Sequence, residues 1–114
     1  MIGRIHGRRT FERLRREGHR VGTEHLWCRF LPDPTAAPPR VGFAIGRAVG
    51  PAVVRNRVRR RLRALLTPLA ASGELPPGWL LIGVQPTARE LTYDALGAEL
   101  RRLLARLRQR EPVA

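Results

Sequence analysis

The run Val53–Arg63, V-V-R-N-R-V-R-R-R-L-R, limits what this chain can fold into more than any other stretch. Six of the nine residues from Arg55 to Arg63 are arginine, yet Val54, Val58 and Leu62 recur at every fourth position. That period is helical. At about 100° per residue, Val54, Val58, Leu62, Leu65 and Leu69 form one face. Asn56, Arg60 and Arg63 line the opposite face. Arg55 and Arg59 flank one side, Arg57 and Arg61 the other, and Arg61 must snorkel past the apolar stripe. The apolar face needs a core to dock on, and docking holds the arginines outward as a rigid comb. No acidic residue occurs between Asp33 and Glu74, so no intrahelical ion pair relieves the repulsion. A merely solvated helix usually mixes glutamate with its bases. A membrane-surface helix carries a broader apolar face than this narrow aliphatic stripe. Phosphates in a bound polyanion would neutralise the charge.

The rest of the composition agrees. The formal net charge is +13, and all 22 basic residues are arginine. Arginine stays charged, forks onto phosphate oxygens and stacks on bases, so nucleic acid is the expected partner. With 114 residues and 43% hydrophobic content, one domain spanning 1–114 is expected. The single cysteine, Cys28, supports no disulfide framework, and a reducing, cytoplasmic location is the default expectation. The opening M-I-G-R-I-H-G-R-R-T lacks the apolar stretch of a secretory signal. The longest apolar run, Trp79–Val84, is too short to span a bilayer, so no membrane partner is expected.

Coarse periodicity gives the order α-β-β-(β)-α-β-α. Arg8–Glu17 reads as a helix ended by Gly18, with Phe11 and Leu14 on one face. His25–Leu31 reads as a strand, with Leu26, Cys28 and Phe30 facing one way and Trp27 and Arg29 the other. Pro32–Pro39 is a loop. Arg40–Gly46 alternates bulky Val41, Phe43 and Ile45 with small Gly42, Ala44 and Gly46, leaving one face of that strand nearly bare. Gly50-Pro51 opens the arginine helix, which is expected to stop near Leu66, ahead of Pro68. Trp79–Val84 suggests a central strand buried on both faces. Thr92 caps a last helix whose stripe is Leu96, Leu100, Leu103, Leu104 and Leu107.

Little in the chain suggests chemistry of its own. The nine carboxylates are scattered, with no close pair for a two-metal nuclease. His6, His19 and His25 share no metal spacing. Gly46–Gly50 lacks the Gly-Lys-Ser/Thr ending of a phosphate loop, although Arg47 beside a helix start suits a phosphate.

Taken together, R-V-G-F-A-I-G-R-A-V-G-P-A-V-V-R-N-R-V-R-R-R-L-R (Arg40–Arg63) resembles the signature of the bacterial ribonuclease P protein component. Arg4-Ile5 followed by Phe11 matches that family's opening, and Leu91–Leu104 resembles its last helix. Arg47 stands alone where the family often has two basic residues, and Gly50-Pro51 replaces its glycine-asparagine. Arg15 and Arg29 fall where cleft aromatics are common, with Phe30 beside Arg29. The resemblance implies a single-domain α/β sandwich with a mixed sheet of about four strands and a left-handed β-α-β crossover. It implies that Arg47, Arg55, Asn56, Arg57, Arg59, Arg60 and Arg63 bind the catalytic RNA. Arg4, Phe11, Arg15, Arg29 and Phe30 would line a cleft for the 5′ leader of precursor tRNA. The protein would be a monomer in the holoenzyme, with magnesium held mainly by the RNA subunit, which performs the cleavage. A ribosomal or other structural RNA-binding protein is the alternative.

Overall fold

The computed structural model describes residues 3–5, 7–36 and 38–110; His6 and the side chain of Arg4 lie outside that description. The elements run β1 (Gly3–Arg4), α1 (Arg8–Glu17), β2 (His19–Gly22), β3 (Leu26–Pro32), β4 (Arg40–Ala44), α2 (Ala52–Ala71), β5 (Gly78–Val84) and α3 (Tyr93–Arg110). Short 3₁₀ turns at Arg47–Val49 and Pro86–Glu90 precede α2 and α3. The five strands form one mixed sheet in the order β1-β4-β5-β3-β2. Four are of ordinary length, while β1 contributes two residues beside Arg40 and Val41. β4 runs parallel to β1 and β5, and β3 runs antiparallel to β5 and β2. The parallel neighbours β4 and β5 are joined through α2, which sets the arginine helix against the sheet.

Register sorts the residues by face. Val41, Leu80, Phe30 and Ile82, Cys28, Val21 lie in cross-strand rows on one face. They share a core with Val58, Leu62, Leu66 and Leu69 of α2 and the five leucines of the α3 stripe. The other face carries Arg29 opposite Leu81 and Trp27 opposite Gly83. There α1 packs on β3 with Leu14 fully buried. β5 is central, as its apolar run suggests, but on its second face Trp79 and Leu81 are only half-buried. Thr92 caps α3 through an Ala95 N–H bond of 3.1 Å.

α2 does not stop before Pro68; it continues to Ala71 with Pro68 inside it. Proline there frees the carbonyl of Ala64, and Ala64 is exposed, so water can satisfy that oxygen. The extra turn brings Leu69 into the core. The helix closes beyond it on Gly73 at φ 79°, with Glu74 N–H bonded to the Leu69 carbonyl at 3.0 Å.

Candidate nucleic-acid interface

The start of α2 is built to present cations. Gly50 adopts φ 152°, and a Cβ there would sit 3.1 Å from the Val54 side chain, so glycine is required. The turn brings Arg47, which is exposed, next to the positive end of the helix dipole. Arg55 donates through Nε to the Gly50 carbonyl at 3.1 Å, and Arg59 donates to Asn56 Oδ1 at 2.7 Å. Asn56 and Arg60 are exposed, whereas Arg55, Arg57, Arg59, Arg61 and Arg63 are half-buried. Arg57 Nε is buried without a hydrogen-bond partner among the described residues. Arg63 departs from the expected outward comb: its guanidinium lies 5.5 Å from the centre of the Phe43 ring.

Phe43 belongs to a groove along the free edge of β4. β1 pairs with only Arg40 and Val41, and among the described residues no strand pairs the edge beyond them. Ile5 then crosses above Gly42, where a Cβ would meet its Cδ1 at 3.3 Å. The bare face expected of β4 is thus occupied by Ile5 at this point. The groove, about 280 Å³, is lined by Phe11 of α1, Arg59 and Arg63 of α2, and Ile5, Val41, Gly42 and Phe43. Phe11 is 37% exposed although it is a large apolar side chain. Aromatic rings set beside arginines, with no acid among the described lining residues, form a surface that can stack bases and hold phosphates.

The family model for ribonuclease P matches residues 3–108. The chain belongs to the ribonuclease P family. Its fold agrees with solved ribonuclease P proteins. A Staphylococcus aureus RNase P protein is 19% identical with a TM-score of 0.82, over 91% of this chain and 94% of that one. The Thermotoga maritima RNase P protein is 23% identical with a TM-score of 0.78, over 90% and 96%. A mutant of the S. aureus protein described as having defective mRNA degradation activity is 19% identical, with a TM-score of 0.84 over 92% and 87%. No curated protein sequence matches the chain. As a member of that family it is a protein subunit of ribonuclease P, a tRNA-processing ribonucleoprotein, and its family partner is the ribonuclease P RNA.

On this ribonuclease P protein the two expected residue sets are not separate. Phe11, expected in the leader cleft, shares its groove with Arg59 and Arg63, expected against the catalytic RNA. Arg15 and Arg29 do meet, through an Arg29 Nη1 bond of 3.2 Å to the Arg15 carbonyl, on the α1 side of the sheet. Phe30 is a correction: it is 0% exposed, in the core on the opposite face from Arg29. The alternation of β3 already separates Arg29 from Phe30, and it was the sufficient signal. The aromatic on the Arg29 face is Trp27, which is half-buried against Gly83, with the Arg20 guanidinium 5.3 Å from the ring centre. Trp79 repeats the pattern on that face under Arg40 at 5.6 Å and bonds Asp33 Oδ2 at 3.3 Å.

Hydrogen bonds from Thr35 and Trp79 hold the Asp33 carboxyl below its ordinary range. Burial pushes the Cys28 thiol up to about 12, so it is a core residue and a poor nucleophile. Among the described residues no three His, Cys, Asp or Glu side chains converge as a metal-binding group. Nor is any helix among them long and apolar enough to cross a membrane.

Proposed function

We propose that the chain binds the catalytic RNA of ribonuclease P through Arg47, Asn56, Arg60 and the neighbouring arginines of α2. It grips the 5′ leader of precursor tRNA in the groove between α1, β4 and α2. The carrying observation is that groove, where an exposed Phe11 and a half-buried Phe43 stand beside Arg59 and Arg63 with no carboxylate among the described lining residues. A leader base stacks on an aromatic ring while its phosphate lies against a guanidinium. Outward, Arg60 and Asn56 meet a second RNA, so one helix touches both strands. The protein's part is positional and electrostatic: it lowers repulsion between two RNAs and fixes the leader's path. Magnesium is assigned to the RNA subunit, and hydrolysis to the RNA with its metal. The protein acts as one copy per site.

Reconstitution with a bacterial ribonuclease P RNA tests this. Precursor tRNA should lose its leader faster with protein present, and the protein without RNA should leave it intact. Stimulation should fall when the leader is trimmed to one or two nucleotides. Cleavage by purified protein alone, or no stimulation at any leader length, would reject the reading and favour a structural RNA-binding role.

A further inference from the structure

The far edge of the sheet carries a second constellation that the groove does not use. β2 is the terminal strand on that side, three strand spacings or about 14 Å from β4. A recess of about 450 Å³ opens there, lined by Arg20, Val21, Gly22, Arg106 and Gln109. Among the described residues no acid lines it. Arg106 reaches from α3 to donate to the Gly22 carbonyl at 2.5 Å, which occupies one backbone acceptor that this edge strand could offer a further protein strand. Arg20 is exposed and belongs to two surfaces at once: it lines the recess and covers the ring of Trp27. Trp27 is held because Gly83, opposite it on β5, has no side chain; a Cβ there would fall inside the ring. The indole therefore has a fixed seat.

From this arrangement we infer that the β2 edge is a second single-stranded RNA site, in which a base stacks on Trp27 and the adjoining phosphate sits between Arg20, Arg106 and Gln109. The inference rests on the RNA-binding reading above. Before RNA arrives, Arg20 covers the indole. An exposed arginine on a ring is held less strongly than a stacked base. A base takes that face, and the released guanidinium turns to the phosphate beside Arg106. The amide of Gln109 offers a further donor. Because the two sites lie on opposite edges of the sheet, one chain can hold two separate RNA segments or two stretches of one long strand.

The test uses the whole chain and pentauridylate. In a Trp79→Phe variant all tryptophan emission comes from Trp27, and saturating pentauridylate should quench it. Wild-type protein should take up at least two pentamers. The Arg20→Ala/Arg106→Ala pair should take up one fewer, with that site weakened about tenfold or more. A Phe11→Leu/Arg63→Ala pair should lose a different one and keep the Trp27 quenching. Unquenched Trp27 at saturation, or wild-type stoichiometry and affinity in the folded Arg20/Arg106 variant, would overturn the inference. These readouts need neither catalytic RNA nor precursor tRNA. Quenching without any stimulation of leader release would therefore count against the ribonuclease role while upholding the β2-edge site.

Discussion

Phe11 and Phe30 show how much one residue's facing decides. Phe11 stands 37% exposed at the groove, whereas Phe30 is 0% exposed in the core. Phe11→Leu should weaken binding of long-leader precursor tRNA, by a share of the roughly 1–3 kcal/mol a stacked base contributes. It should spare mature tRNA affinity and the thermal midpoint. Phe30→Leu should do the reverse, costing roughly 1–2 kcal/mol of stability through imperfect repacking with little change in RNA binding. Paired melting and binding curves check both; equal losses for precursor and mature tRNA in Phe11→Leu would remove its leader role. Glu99 carries a different residue-scale prediction. Burial alone would raise its pKa, but bonds from Thr23 Oγ1 at 2.7 Å, Arg102 at 2.5 Å and the His25 N–H at 2.7 Å outweigh it and hold the group at about 2. The folded pKa lies below the ordinary 4.5, so the stabilisation is complete above pH 4.5 and is lost as pH falls towards 2. Up to about 3 kcal/mol is at stake. Glu99→Gln should melt lower at pH 7 and show a flatter acid limb between those two values. Unchanged stability at pH 7 would show that the clamp between α3 and the β2–β3 turn is dispensable. Sequence could not show this clamp, because its partners lie 74 and 76 positions apart.

At the scale of elements, α2 separates its two jobs by face. Val58 and Leu62 are buried, and Arg60 is exposed two residues from each. Val58→Asp or Leu62→Asp would put an unpaired charge into the core and should leave the chain unfolded by circular dichroism. Arg60→Ala should fold normally, bind the catalytic RNA more weakly, and reduce the salt slope by roughly 0.7–0.9. An unaltered salt slope in folded Arg60→Ala would detach the helix from RNA. These two faces were legible in the four-residue spacing of Val54, Val58 and Leu62, as were the bounds of α1, the α3 stripe and the β3 alternation. The continuation past Pro68 was not: Leu69 falls on the same apolar face, but the local cost of proline argues for a stop, and only the packed core shows that burying Leu69 outweighs it. β2 has little sequence signal of its own, because four residues, H-R-V-G, hold one core side chain, Val21, and need β3 beside them to become a strand. At the site, the arginines were legible because their charge has no local partner. The groove was not: Phe11, Phe43 and Arg63 come from three elements and meet only once β1 has left the β4 edge uncovered.

Across the whole molecule the dominant quantity is a net charge of +13 on a chain of 114 residues. Among the described residues few of those arginines are spent on carboxylates: Arg13 pairs with Glu17 and Arg102 with Glu99. The uncommitted positive charge is arranged around the sheet, with α2 and the β4 groove on one edge and Arg20 and Arg106 on the other. Bringing a catalytic RNA and a precursor tRNA together crowds their phosphates, and the repulsion must be met by counterions or by protein. At low magnesium few divalent ions are available, so the arginines should supply a larger share of the countercharge. The rate gain given by the protein should accordingly be greatest at low magnesium and shrink as magnesium or monovalent salt rises, because screening removes its electrostatic part. Stacking of leader bases is less salt-sensitive, so a residual gain for long leaders should survive at high salt, and Phe11→Leu should reduce that remainder. Leader release measured across a magnesium titration, at two salt concentrations and two leader lengths, separates the two parts. A gain that stays constant with magnesium would mean that charge neutralisation is not what the arginines contribute.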